Sequence, residues 1–136
     1  PFPRCHPTVI ASVAMALKQT YSELSSKIQI SVSSSGFSLE IYHAIPCGLI
    51  INEMISNSFK HAFDPDRGGL IEIDLSIDDE GKHLIRYHDN GRGISDEVDI
   101  ANSKTLGLQL VHSLISQIRG TITLDRNGGT TFTIVF

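Results

Sequence analysis

No block of lysine and arginine runs through this 136-residue sequence, and its formal charge is −4. Both facts argue against a general nucleic-acid binder, which meets phosphates with a basic face. Long apolar runs are missing too. The longest, such as "IPCGLII", fall far short of the roughly 20 residues that cross a bilayer, and no secretory signal opens the chain. The domain is therefore expected to make no membrane contact. Cysteine is scarce: Cys5 and Cys47 match no metal-ligand or redox pattern, so free thiols in a reducing, cytoplasmic setting are expected. There is no internal repeat and no low-complexity linker. What is present, 40% hydrophobic and 19% charged residues, is ordinary for one globular domain with one core. A start at "PFPRCHP" without Met, and an end inside an apolar run, are expected of a piece of something larger.

Apolar positions Val9, Ile10, Val13, Ala14, Leu17 and Tyr21 predict a helix over 8–24. Strands follow at 27–32 ("KIQISV") and 37–41 ("FSLEI"), separated by a serine-rich turn. A helix is expected from about 43 to 62, ended by "DPDRGG". Strands at 70–77 and 83–89 flank the turn "DDEGK". A second amphipathic helix at 106–118 carries Leu108, Val111, Leu114, Ile115 and Ile118 on one stripe, and strands at 120–125 and 130–136 close the chain about "RNGG". Helices interspersed among strand pairs predict an α/β (α+β) two-layer sandwich, a mixed sheet covered on one face by three helices.

The stretch "NEMISNSFKHAF" (52–63) carries the chemistry. With about 100° per residue, Glu53, Asn57, Lys60 and His61 share an arc of roughly 100°. Cys47, Ile51, Met54, Ile55, Ser58 and Ala62 fill the neighbouring arc, also roughly 100° wide. The polar ridge thus runs beside the buried stripe instead of opposite it, with Ile50 interrupting it as a cavity wall would. A solvated helix face is the ordinary alternative, but Asn is a poor mid-helix residue that needs a reason to be there. The set suits a polyphosphate with a divalent cation. An amide oxygen such as Asn57's can ligate Mg²⁺, Lys60 and His61 can donate to phosphate oxygens, and Glu53 can orient a water or accept a proton.

Downstream, "HDNGRGI" (88–94) ends a strand on Asp89. Gly91 and Gly93 there can take positive φ and approach a ligand closely. A carboxylate so placed can accept a hydrogen bond from an exocyclic amine such as adenine's; a plain turn is the alternative. "SKTLGLQL" (103–110) puts Ser103 or Thr105 at a helix N-cap, with Leu106 and Gly107 in the first turn, where free N–H groups favour a phosphate. In "NGGTTFTIVF" Gly128 and Gly129 turn the chain before Thr130, whose hydroxyl can reach a base through water or serve only the strand. Neither G-x-G-x-x-G nor G-x-x-x-x-G-K-[ST] occurs, so any nucleotide is bound by another route.

In this order, "NEMISNSFKHAF", "DNGRG", "LGL" and "GGTTF" resemble the N box and three glycine boxes of the GHKL ATPase and kinase superfamily. Within it the sequence is similar to the ATP-binding catalytic domain of sensor histidine kinases, in wording nearest the HWE-type and allied group. The resemblance covers about residues 28–136 and implies the Bergerat-type sandwich. It implies Asn57 as the Mg²⁺ ligand, Glu53 as the N-box acid with a catalytic role alongside Lys60, and Lys60 and His61 as phosphate contacts. Asp89 would read adenine, Gly91 and Gly93 begin a lid, Leu106 and Gly107 lie on the phosphate side, and Thr130 stands near the base.

The implied activity is transfer of the γ-phosphoryl group of ATP, with Mg²⁺, to a histidine on another domain and then to a response regulator receiver domain. That histidine would belong to an upstream dimerisation domain. Residues 1–27 would lead in from it, residues 28–136 would form the catalytic domain, and the whole protein would be a homodimer. The segment Ser95–Thr105 is short and lacks the aromatic residue common in such lids, and "LGL" lacks a richer glycine run. No acceptor motif is present: His6, in "RCHPTV", does not fit one, and His43, His83, His88 and His112 read as surface or packing residues. Two alternatives keep the boxes and change the role. One is a serine kinase of the anti-sigma-factor type; the other is a non-catalytic nucleotide-binding or interaction module.

Overall fold

The computed structural model describes residues 4–5, 16, 19–20, 27–35, 39–64, 66–93 and 106–136. In chain order these form β1 (Arg4–Cys5), β2 (Ile28–Ser35), β3 (Leu39–Glu40), α1 (Ile41–Asn57), a π turn (Ser58–Ala62), β4 (Gly69–Ile77), β5 (His83–Asp89), α2 (Leu106–Gln117), β6 (Thr121–Asp125) and β7 (Thr130–Val135).

Five strands join in the order β2-β4-β5-β7-β6. The β2/β4 pair is parallel, because the chain between those strands crosses over through α1, and every other neighbour in this sheet is antiparallel. Side-chain alternation separates the two faces. Ile71, Ile73 and Leu75 of β4, Ile85 and Tyr87 of β5, and Phe132 and Ile134 of β7 point into the core. There they meet Cys47, Ile50, Ile51, Met54 and Ile55 of α1 and Val111, Leu114 and Ile115 of α2. Each fully buried isoleucine contributes about 1.5–3 kcal/mol relative to exposure. The other face is polar. On it Ser33 donates to Oδ1 of Asp74 at 2.6 Å, and Arg86 donates to Oδ2 of the same residue at 3.1 Å. Both partners of that ion pair are over two-fifths exposed, so it is worth at most about 1 kcal/mol.

The mixed sheet with helices on one face is the expected architecture, but three local features differ. Of the strand expected at 37–41, the described part Leu39–Glu40 pairs with β1 in a separate two-stranded sheet, leaving five strands in the main one among the described residues. The first helix starts at Ile41, which puts Pro46 in its second turn, where a missing N–H leaves the Tyr42 carbonyl without its helical donor. At its other end regular geometry stops at Asn57 and the chain widens into the π turn. Ile50 is no cavity wall: it is completely buried in the core. The third helix, expected at 8–24, lies mostly outside the described residues; within it Ala16, Gln19 and Thr20 are helical and exposed.

Cys47 is a free thiol at 0% exposure, and burial pushes it up to about 12, so it packs as a small hydrophobe. At the end of β5 opposite Asp89, His83 stacks on Phe136, with ring centroids 4.9 Å apart, and His43 of α1 leans against Phe136 at 5.4 Å. Both histidines pack as expected. His88 instead faces the polar side, where its Nδ1 is 2.7 Å from the Thr131 hydroxyl.

Candidate nucleotide site

The inward positions of β5 alternate Ile85, Tyr87, Asp89, so the apolar face of the sheet ends in a carboxylate. Asp89 is only 3% exposed. Its Oδ2 accepts the Ser58 hydroxyl at 2.7 Å and its Oδ1 accepts the backbone N–H of Gly91 at 3.1 Å. Ser58 is also 2.6 Å from the Tyr87 hydroxyl, which in turn donates to the Met54 carbonyl at 3.1 Å. A buried carboxylate needs such donors, because leaving it unpaired costs several kcal/mol, of order 3–5 for a broken buried pair. Each oxygen has one donor here and room for another.

Thr130 stands directly across from Asp89 in the β5/β7 register and is 2% exposed. Gly129, at φ 111°, packs against the Asp89 carbonyl so closely that a Cβ there would collide with it. Gly93, at φ 81°, brings the chain after β5 over the same turn, with a built Cβ 3.3 Å from the Gly129 carbonyl. Gly91 differs from expectation. It is not among the positive-φ glycines; the close approach of Ala62 in the π turn is what leaves no room for a side chain there. The Arg92 N–H donates to the Ala62 carbonyl at 2.9 Å, which ties the end of that turn to the start of the glycine segment.

A second group gathers one turn back along α1. Glu53 and Asn57, both half-buried, face the first turn of α2. A Cβ on Gly107 would stand 2.8 Å from Oε2 of Glu53 and 3.7 Å from Oδ1 of Asn57. Lys60 and His61 ride the π turn, both exposed, and Leu106 is 81% exposed at the start of α2. A π turn advances each residue by less than the 100° of a helix, so these two side chains sit off the arc drawn for Glu53 and Asn57. The expected N-caps Ser103 and Thr105, and most of the lid segment, lie outside the described residues. Among the described residues no three His, Cys, Asp or Glu side chains form a metal-binding group, and no helix is long and apolar enough to cross a membrane.

Two residues of this network, Ser58 and Tyr87, were not expected at the site. Ser58 falls on the apolar arc of the helix, and a hydroxyl there must find a partner on the sheet. Period-two spacing from Asp89 puts Tyr87 on the same face. Together those two signals identify the pair.

A sheet covered on one face, with its buried carboxylate under the helix that carries Glu53 and Asn57, defines a class: the two-layer ATP-binding sandwich. The chain belongs to the histidine kinase-, DNA gyrase B- and HSP90-like ATPase family, whose family model matches residues 42–136. It is 27% identical over 101 residues to blue-light-activated histidine kinase 2 of Erythrobacter litoralis, covering 74% of this chain and 29% of that protein. It is 32% identical over 69 residues to the sensor histidine kinase PdtaS of Mycobacterium tuberculosis, covering 50% of this chain and 14% of the relative. A solved histidine kinase domain from an Erythrobacter litoralis blue-light-activated histidine kinase shares the fold at a TM-score of 0.84 and 23% identity, covering 93% of this chain and 58% of that one. The chain thus spans less than a third of the curated relatives' length.

Proposed function

We propose that this chain is the ATP·Mg²⁺-binding catalytic domain of a two-component sensor histidine kinase. It presents the γ-phosphoryl group to a histidine on an upstream dimerisation domain, from which the group passes to a response regulator receiver domain. The catalytic domain runs over residues 28–136, residues 1–27 lead in from the acceptor region, and the parent protein works as a homodimer with this domain in the cytoplasm. The observation that carries this reading is the Ser58–Asp89 hydrogen bond. It joins the residue after Asn57 to the buried carboxylate, which supports reading the two as ends of one nucleotide site.

Asp89 accepts the adenine amine, with Thr130 beside it and Gly91 and Gly93 leading into the lid. Asn57 would hold Mg²⁺ through its amide oxygen, the hard ligand type that ion prefers. Bound there, the ion would neutralise triphosphate charge. Lys60 and His61 donate to phosphate oxygens, and Leu106 and Gly107 bring the N-terminus of α2 to the same group. Glu53 accepts the proton of the attacking imidazole or orients a water. Catalysis is then positioning and charge neutralisation.

The test is Asp89→Ala. It removes a charge-assisted hydrogen bond of roughly 1.5–3 kcal/mol and weakens ADP binding about 10–150-fold by calorimetry. Unchanged ADP affinity overturns the placement of the base.

A further inference from the structure

Tyr87 is completely buried, its ring lies 6.5 Å from that of Phe132, and its one hydroxyl hydrogen is shared between two acceptors. Neither acceptor is chosen at random. One is the hydroxyl of Ser58. The other is the carbonyl of Met54, which is the residue four before Ser58 on the same helix. A serine in a helix commonly turns its hydrogen back onto that i−4 carbonyl. Ser58 does not; its hydrogen goes to Oδ2 of Asp89.

The hydrogen count explains why. Ser58 has one hydrogen, and a carboxylate can only accept. With that hydrogen on Asp89, the 2.6 Å contact between Ser58 and Tyr87 holds only if the phenol donates. Tyr87 thus fills the serine's lone pair, and the same hydrogen, shared, also reaches the Met54 carbonyl that would otherwise compete. Burial drives the phenol well above its ordinary range, with the Ser58 hydrogen bond opposing and the Asp89 charge adding to it, so the proton stays in place. We infer that Tyr87 is a positioning residue for base selection, steering the Ser58 hydroxyl onto Asp89 so that the carboxylate stays an oriented, acceptor-only group facing an amino-purine. This rests on the reading of Asp89 as the base acceptor.

Loss of the phenol frees Ser58 to bond back to Met54, and Asp89 then keeps only the Gly91 N–H. A carboxylate with one donor gains rotational freedom and discriminates less well between an amine and a carbonyl at the purine 6-position. Tyr87→Phe keeps the ring and its packing, so the change is confined to the hydrogen bonds.

The experiment titrates the 136-residue chain with ADP and with IDP, which replaces the 6-amino donor by a carbonyl. In Tyr87→Phe the ADP-over-IDP preference falls about 3–10-fold, the equivalent of one neutral hydrogen bond, while IDP affinity is unchanged. Ser58→Ala, which removes the relay with little change in volume, lowers the preference to the same degree and serves where Tyr87→Phe unfolds. Asp89→Ala is the control. If it leaves the preference intact, the reading of Asp89 fails. If it abolishes the preference while Tyr87→Phe and Ser58→Ala leave it unchanged, or weaken both nucleotides equally, the inference about Tyr87 is overturned.

Discussion

A Cβ built on Gly107 would stand 2.8 Å from Oε2 of Glu53, so α2 rests its first turn directly on the polar ridge of α1. The intruded atom is the free end of a flexible side chain and can turn aside, whereas a helix gains when glycine becomes alanine. Gly107→Ala therefore keeps or raises stability, by up to about 1 kcal/mol, while turning the Glu53 carboxylate out of place. Thermal melts and calorimetry with Mg²⁺·ADP should separate: equal or higher Tm, weaker nucleotide binding. Lower stability with unaltered binding contradicts this.

Asn57 offers its amide beside the same turn. Asn57→Ala should spare much of the adenine affinity and abolish the enhancement that Mg²⁺ brings. Titrations with and without Mg²⁺ that still differ as in the wild type exclude Asn57 as the ligand.

Gly129 has no such tolerance. Its φ of 111° suits few other residues, and the atom a Cβ would strike is the Asp89 carbonyl, part of the sheet backbone. Gly129→Ala should cost about 2 kcal/mol or more, from the strained backbone and the clash together. Chemical denaturation measures this directly, and a loss below 0.5 kcal/mol, roughly that of an ordinary surface change, refutes it.

Desolvation, and then the nearby His83, hold His43 below its usual 6.5, with Glu40 pulling the other way. The unfolded chain therefore binds this proton first as pH falls. The contribution of His43 to stability is complete above about 6.5 and is lost as pH drops through the lowered folded value. His43→Gln should flatten the fall in Tm between about pH 7.5 and about pH 5.5. An unchanged slope shows that the His43, His83 and Phe136 cluster carries no such linkage.

Much of the scaffold was legible in the chain. Period-two alternation marks 70–77 and 83–89 almost to the residue, and the stripe Leu108, Val111, Leu114, Ile115 and Ile118 is buried as its spacing requires. Both patterns record a local fact, which side of an element faces apolar surroundings. Residues 39–40 were harder to place, since a short strand says nothing about which partner it will take. The π turn was invisible as well. Its wider geometry coincides with contacts brought from afar: the Arg92 N–H on the Ala62 carbonyl and Gly91 against the same residue.

At the site the same division holds. Residue types and spacing alone determined that Glu53 and Asn57 share one ridge of a helix and that Asp89 ends a strand, because these are consequences of 3.6- and 2-residue periods. Only the tertiary structure decided that Asp89 is held by Ser58, that Tyr87 orders Ser58, and that Gly107 lies against Glu53. Hydrogen-bond partners 29 to 33 residues apart meet only when sheet and helices pack, and no local period encodes which lone pair a distant hydroxyl will fill.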